Sequence, residues 1–247
     1  PPTRPGPAGR RTTPIRDPLF WRVAVPEDTS KPPAVWTAAE LAARIDHTIL
    51  KPEATPEQVE AVVDEALEHG FASVCVNGCY LKRVADRVHA ASVAGEGTSV
   101  KACAVVGFPL GAMKPRLKAI EATTLVKDGA DEIDMVAHLP HVVSADEAAL
   151  REEIGEVVLA ARAVLPEVVV KVIVESALAT AGVDEAEGER RIASACLAVR
   201  EAGADFIKTS TGFHGSGGAS ERTVGWMRKH AEGPAGTRIR VKASGGI

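Results

Sequence analysis

The run Asp205-Phe206-Ile207-Lys208-Thr209-Ser210-Thr211-Gly212 sets a lysine inside an apolar segment and closes on a Thr/Ser/Gly exit. It reads as a β-strand carrying an ammonium group on one face, ending in a loop whose backbone N–H groups can meet an anion. Taking an ammonium out of water lowers its pKa, and the neutral amine that results is a nucleophile toward carbonyls. Taken alone, the segment reads more simply as a lysine snorkelling from an edge strand. Three further strands change that reading.

Side chains alternate along a strand, so residues two apart share a face. Glu132, Asp134 and Val136 form one such set, as do Val169, Lys171 and Ile173, then Phe206, Lys208 and Ser210, then Arg240, Lys242 and Ser244. Each set carries a charge from among Asp134, Lys171, Lys208 and Lys242. If these faces turn into a barrel, three ammonium groups and one carboxylate converge near its mouth. Like charges disfavour protonation, so the pattern predicts at least one lysine neutral near physiological pH. Such a lysine suits Schiff-base chemistry, with its neighbours shuttling protons. The competing reading is an inert interior salt-bridge network around Asp134. The turns Thr211-Gly212 and Ser244-Gly245-Gly246 add two glycine loops able to present N–H groups to a phosphate.

The elements that must position these residues alternate along the chain. Strands are predicted over 44–50, 72–76, 99–108, 132–136, 168–174, 205–210 and 238–243. The intervening helices carry start signals at Thr37-Ala38-Ala39-Glu40, Thr55-Pro56-Glu57-Gln58, Ser144-Ala145-Asp146-Glu147 and Ser220. Gly129-Ala130-Asp131-Glu132-Ile133 and Gly203-Ala204-Asp205-Phe206-Ile207 form a weak repeat in which a glycine ends a helix just before a strand. Short αβ turns between apolar runs describe parallel βα units. With no Gly-x-Gly-x-x-Gly after the first strand, seven such units favour an α/β (β/α)8 TIM barrel over a doubly wound sheet. An eighth unit is expected and missing from this sequence, which would leave strands one and seven with unpaired edges. Residues 1–36 are Pro/Arg-rich without periodicity and read as an N-terminal extension anchored by Phe20, Trp21 and Trp36, with the barrel domain over 37–247. The Arg-rich, acid-poor start shares its composition with organellar transit peptides, but a plain extension is the simpler reading.

Composition narrows the function classes. The chain has 247 residues, 45% hydrophobic and 25% charged, with net charge −4 spread along the helices. Nothing there points to nucleic acid or an anionic membrane, and no apolar run reaches the length of a membrane span. Four cysteines do not make a disulfide scaffold at this length, so a reducing cytoplasm is the default compartment.

The chain closely resembles the deoxyribose-phosphate aldolases. The residues that carry the likeness are Ile45-Asp46-His47-Thr48-Ile49-Leu50-Lys51-Pro52, Val74-Cys75-Val76-Asn77, Val106-Gly107-Phe108-Pro109-Leu110-Gly111, Gly129 to Asp134, Gly203 to Gly212, and Val241-Lys242-Ala243-Ser244-Gly245-Gly246. The resemblance implies a class I aldolase on a TIM barrel, reversibly cleaving 2-deoxy-D-ribose 5-phosphate to D-glyceraldehyde 3-phosphate and acetaldehyde, in carbohydrate and deoxyribonucleotide breakdown. By matched position it implies Lys208 as the Schiff-base lysine and Lys242 as the second lysine of a proton relay. Asp134 would be the acid/base carboxylate, Lys171 an accessory lysine, and Asp46 and Thr48 supports for the relay or the sugar hydroxyls. Gly212, Phe213, Gly245, Gly246 and Ile247 would surround the phosphate, Phe213 through its backbone. The resemblance implies neither metal nor organic cofactor, and a phosphorylated sugar as the small-molecule partner; incomplete barrel closure and an apolar tail make a homodimer the expected assembly. A transaldolase-like or ketose-phosphate aldolase, and a non-catalytic barrel fragment, are the rival readings. The remaining motifs read as structural: His138-Leu139-Pro140-His141 lacks a third metal ligand, Cys75 and Cys79 read as a buried strand thiol and a loop thiol, and alternation turns His47 away from the Asp46 face.

Overall fold

A computed structural model describes residues 36–94 and 99–246. The extension over 1–36, apart from Trp36, and Ile247 therefore lie outside the described residues. Strands β1 (Asp46–Ile49), β2 (Ser73–Val76), β3 (Lys101–Val106), β4 (Glu132–Val136), β5 (Val169–Ile173), β6 (Phe206–Lys208) and β7 (Arg240–Lys242) form one sheet in sequence order. Every neighbouring pair is parallel. Helices α1 (Ala38–Ala42), α2 (Pro56–His69), α3 (Gly78–Val93), α4 (Pro115–Lys127), α5 (Leu139–Ser144), α6 (Glu147–Arg162), α7 (Ser176–Thr180), α8 (Glu185–Glu201) and α9 (Glu221–His230) alternate with them. None of the described helices is long and apolar enough to cross a membrane.

Local chemistry sets the helix ends. Thr55 opens α2: its hydroxyl accepts from Gln58 N while Gln58 Oε1 accepts from Thr55 N, and Pro56 needs no N–H partner in the first turn. Gly70 then leaves the helix in the left-handed region, φ 66°. Thr37 and Ser220 start α1 and α9 with boxes of the same kind. At α6 the cap is Asp146, which accepts from Ala149 N, rather than the expected Ser144. Ser144 instead ends α5, a six-residue helix that the sequence pattern did not announce.

The repeated Gly-Ala-Asp has a structural reason. After α4 and after α8 the glycine takes positive φ, 106° at Gly129 and 80° at Gly203. The next amide reaches back to the helix, Ala130 N to Leu125 O and Ala204 N to Val199 O. Each aspartate then ties its strand to the one before it: Asp131 accepts from Ala102 N on β3, and Asp205 from Val170 N on β5.

The two faces of the sheet differ in polarity. Val74, Ala104, Ile133, Val172 and Ile207 are fully buried beneath the helices, each large aliphatic contributing about 1.5–3 kcal/mol. The concave face carries charge instead. A flat seven-strand sheet would hold β1 and β7 roughly 29 Å apart, six spacings of about 4.8 Å. Yet Lys242 Nζ on β7 lies 2.8 Å from Asp46 Oδ1 on β1. The seven-stranded sheet is therefore curled toward a barrel, and this ion pair spans the gap, since among the described residues no ladder joins β7 to β1.

Candidate active site

Register brings the charged residues of the concave face together. Asp134 lies opposite Lys171 across β4 and β5, and Lys208 opposite Lys242 across β6 and β7. Lys208 Nζ donates to Asp134 Oδ2 at 2.5 Å, and Lys171 Nζ to Asp134 Oδ1 at 2.9 Å. Lys171 also stands 2.5 Å from Glu132 Oε2 and 3.4 Å from Asp46 Oδ2, and Asp46 Oδ1 holds Lys242. The result is a continuous alternation of charge: Lys208, Asp134, Lys171, Asp46, Lys242. Lys242 additionally donates to Arg44 O at 2.9 Å.

Three ammonium groups thus meet three carboxylates, where the strand pattern led us to expect three against one. Glu132 and Asp46 make the difference, and it reverses the expected protonation. Burial acts most strongly against charge on Lys208, and Lys171 adds repulsion, but the attraction of Asp134 outweighs both and raises its pKa. Lys171 is raised well above its ordinary value against the same burial, by Asp134 first, then Glu132 and Asp46. Burial pushes the Asp134 carboxyl up, yet Lys171 and Lys208 together hold it far below the usual carboxylate range. The resting site is an ion-paired network, with Lys208 an ammonium ion.

Lys171 is oversubscribed. Its three protons face four acceptors: Asp134, Glu132, Asp46 and the Cys103 sulfur. Asp46 Oδ2 and Glu132 Oε2 accordingly sit buried without an aligned hydrogen bond. Cys103 Sγ donates to Asp134 Oδ1 at 3.4 Å. Burial first, then Cys75 and Asp134, push its thiol well up, so the proton stays on sulfur. Donor atoms of Cys75, Cys103 and Asp134 lie within 4.8 Å of one another. Both Asp134 oxygens are already held by lysines, so this trio acts as a hydrogen-bonding cluster.

The network has a pH signature. Asp134 has a folded pKa depressed below its unfolded value, so its contribution is present above about pH 4 and is lost as pH falls through the folded pKa. Lys171 and Lys208 have raised folded pKa values, so theirs is present below about pH 10.4 and is lost as pH rises through the folded values. We expect Tm to be nearly level between these limits and to fall outside them. In Asp134→Asn the acid-side fall should shrink; an acid limb identical to the parent's would assign it to other carboxylates.

The glycine turns meet beside this cluster. Thr209 Oγ1 donates to Ser244 O, Ser244 N donates back to Thr209 Oγ1, and Ser244 Oγ donates to Ser210 O at 2.7 Å. These bonds hold the loop after β6 against the loop after β7. A side chain on Gly212 would come 3.8 Å from Gly245 Cα, and one on Gly218 would strike Gly245 O at 1.8 Å. Gly218 was not anticipated, because only the fold brings residue 218 against residue 245. Phe213 lies at the rim, its ring edge-on to Phe108 with centroids 5.2 Å apart. Gly246 is open, and Thr48 is exposed and bonds the Asp46 carbonyl, outside the ion-pair chain.

Of the residues set aside in the sequence, Cys75 joins the cluster beside Cys103 and Asp134, while the histidines stay apart from it. His47 faces α2, pairing with Glu65 and stacking on Phe71. His138 and His141 line a groove of about 460 Å³ with Met113, Lys114 and Glu152, sharing no residue with the lysine network. Cys79 is exposed and Cys75 buried, both as free thiols.

Seven parallel strands with their helices around a charge-filled interior, with Lys208 and Lys242 ending their strands, define an α/β-barrel of the aldolase type. The chain belongs to the DeoC/LacD aldolase family, whose model matches residues 26–247. It is 45% identical over 207 residues to the deoxyribose-phosphate aldolase of Caldanaerobacter subterraneus, covering 84% of this chain and 80% of that one. It is 45% identical over 212 residues to that of Kocuria rhizophila, covering 85% of each. Among solved structures, an aldolase called QR15 superposes with TM-score 0.69 at 36% identity, over 84% of this chain and 82% of that one. The deoxyribose phosphate aldolase of Aeropyrum pernix, described as a unique tetrameric structure, gives 0.68 at 33%, over 85% and 80%.

Proposed function

We propose that this protein reversibly cleaves 2-deoxy-D-ribose 5-phosphate to D-glyceraldehyde 3-phosphate and acetaldehyde through a Schiff base on Lys208. The observation that carries the reading is the 2.5 Å contact of Lys208 with Asp134, both buried on the concave face. A carbonyl oxygen entering between Nζ and Oδ2 separates the pair. The attraction that keeps Lys208 charged is then lost, while burial and Lys171 still disfavour the ammonium. Asp134 takes the proton, the amine adds to the sugar's aldehyde carbon, and Asp134 returns the proton as the carbinolamine hydroxyl leaves as water. The iminium draws the electron pair of the C2–C3 bond into an enamine as a base removes the C3 hydroxyl proton, releasing glyceraldehyde 3-phosphate. Protonation of the enamine carbon and hydrolysis then release acetaldehyde and free Lys208. The alternating chain through Lys171 and Asp46 to Lys242 gives these protons a route. The paired glycine turns at Gly212 and Gly245 are the seat proposed for the phosphate, by their close approach and their backbone amides.

The donor decides between this reading and a ketose-phosphate aldolase. With glyceraldehyde 3-phosphate as acceptor, acetaldehyde should condense and dihydroxyacetone should not; turnover with the ketone alone would refute the assignment. Lys242→Leu should cut kcat by about 10²-fold and displace the pH–rate profile, because Asp46 would then lean on Lys171 alone. A slower enzyme with an undisplaced profile would take Lys242 out of the relay.

A further inference from the structure

Glu175 carries two costs at one position. Its backbone lies in the left-handed region, φ 49° and ψ 61°, unusual for a residue with a side chain. Its side chain is fully buried, and among the described residues no cation stands within ion-pair reach of it. A glycine would relieve the first cost and a neutral side chain the second. What the carboxylate does instead is hold one residue: Thr211 N donates to Oε1 at 3.2 Å and to Oε2 at 3.3 Å, and Thr211 Oγ1 donates to Oε2 at 2.7 Å. The Thr211 hydroxyl then accepts from Phe213 N at 3.1 Å. Carboxylate, hydroxyl and amide together close the turn over Gly212, whose φ is 79°. The neighbouring Ser176 N donates to Thr209 O at 2.8 Å, so the loop after β5 braces the loop after β6 at two points.

We propose that Glu175 is a positioning residue that sets the Thr211–Phe213 turn and so shapes the anion seat beside Lys208. The anion part of this rests on the phosphate reading above. A carboxylate only accepts, so it takes both Thr211 donors and leaves the hydroxyl's lone pairs for Phe213 N. With the amides of Thr211 and Phe213 committed inside the turn, Gly212 N is the one between them that, among the described residues, meets no protein acceptor. The residue that bears it sits against the second glycine turn: a Cβ on Gly212 would meet Gly245 Cα at 3.8 Å. A Gln at 175 would bring an NH₂ group to face donors, undoing part of the set while preserving shape.

The test measures steady-state kinetics on 2-deoxyribose 5-phosphate and on unphosphorylated 2-deoxyribose, together with amide hydrogen exchange at residues 209–214. Glu175→Gln should raise KM for the phosphorylated sugar about tenfold with a smaller fall in kcat, the scale of a lost hydrogen bond to a charged group. KM for the unphosphorylated sugar should move less, and exchange at Thr211 and Phe213 should quicken. Thr211→Val, which cuts the same link from the other end, should shift the same quantities, and the double variant should add little. Equal losses on both sugars with unchanged exchange would overturn the proposal. A parent enzyme indifferent to the phosphate would refute the phosphate seat, while faster exchange at Thr211 and Phe213 would still uphold Glu175 as setting the turn and unchanged exchange would overturn it.

Discussion

Lys208→Ala is expected to lower kcat by at least about 10⁴-fold while leaving the barrel folded, the scale seen when a covalent nucleophile is removed. The loss follows from position: Lys208 Nζ is the amine that meets Asp134, on the strand that leads straight into the Thr211-Gly212 turn. Folding should survive because Asp134 keeps Lys171 at 2.9 Å, so no bare carboxylate is left buried. The destabilisation should therefore stay below the roughly 3–5 kcal/mol that follows when a buried pair loses one partner outright. Circular dichroism and a thermal melt separate the two effects. A folded variant retaining a tenth of the parent rate would move the nucleophile to another residue.

Asp134→Asn should cost about 10²–10⁴-fold in kcat, the range for a positioned acid–base group. It should also lower the pH at which Lys208 titrates. The parent lysine is raised because Asp134 attracts its proton; without that charge, burial and Lys171 remain, and both oppose the ammonium. The Lys208 pKa should therefore fall, and labelling of Lys208 by an amine-reactive reagent should reach half its maximum at lower pH than in the parent. An unchanged midpoint would show that Asp134 does not control that proton. The paradox is instructive: the variant's amine is freer to attack, yet the enzyme is slower, because an amide cannot carry the proton to the departing hydroxyl.

The strands and the faces they present were legible because charge appears at period two in segments that are otherwise apolar. Asp134, Lys171, Lys208 and Lys242 could be grouped from that alternation alone, and the structure places all four on the concave face. Alternation also put Glu132 on this face and Asp46 away from His47, but it carries no information on which carboxylate meets which lysine. That pairing depends on register across strands far apart in sequence, and it is what reverses the expected neutral lysine. Helices α5 and α7, of six and five residues, are too short to show a helical period. Glu175 gave no signal at all, since Val172-Ile173-Val174-Glu175 reads as a strand leaving the core, and neither its left-handed backbone nor its bonds to Thr211 can be read from that run. Gly218 was likewise hidden, because its need to lack a side chain arises only from the Gly245 carbonyl.

One experiment bears most directly on the imine at Lys208. The protein is incubated with acetaldehyde, reduced with borohydride, digested and mapped by mass spectrometry. The expected product is a single ethyl group on Lys208, absent when acetaldehyde is withheld and absent in Lys208→Ala. Ethyl groups on Lys171 or Lys242 with Lys208 unmodified, or no adduct on the concave face, would contradict it.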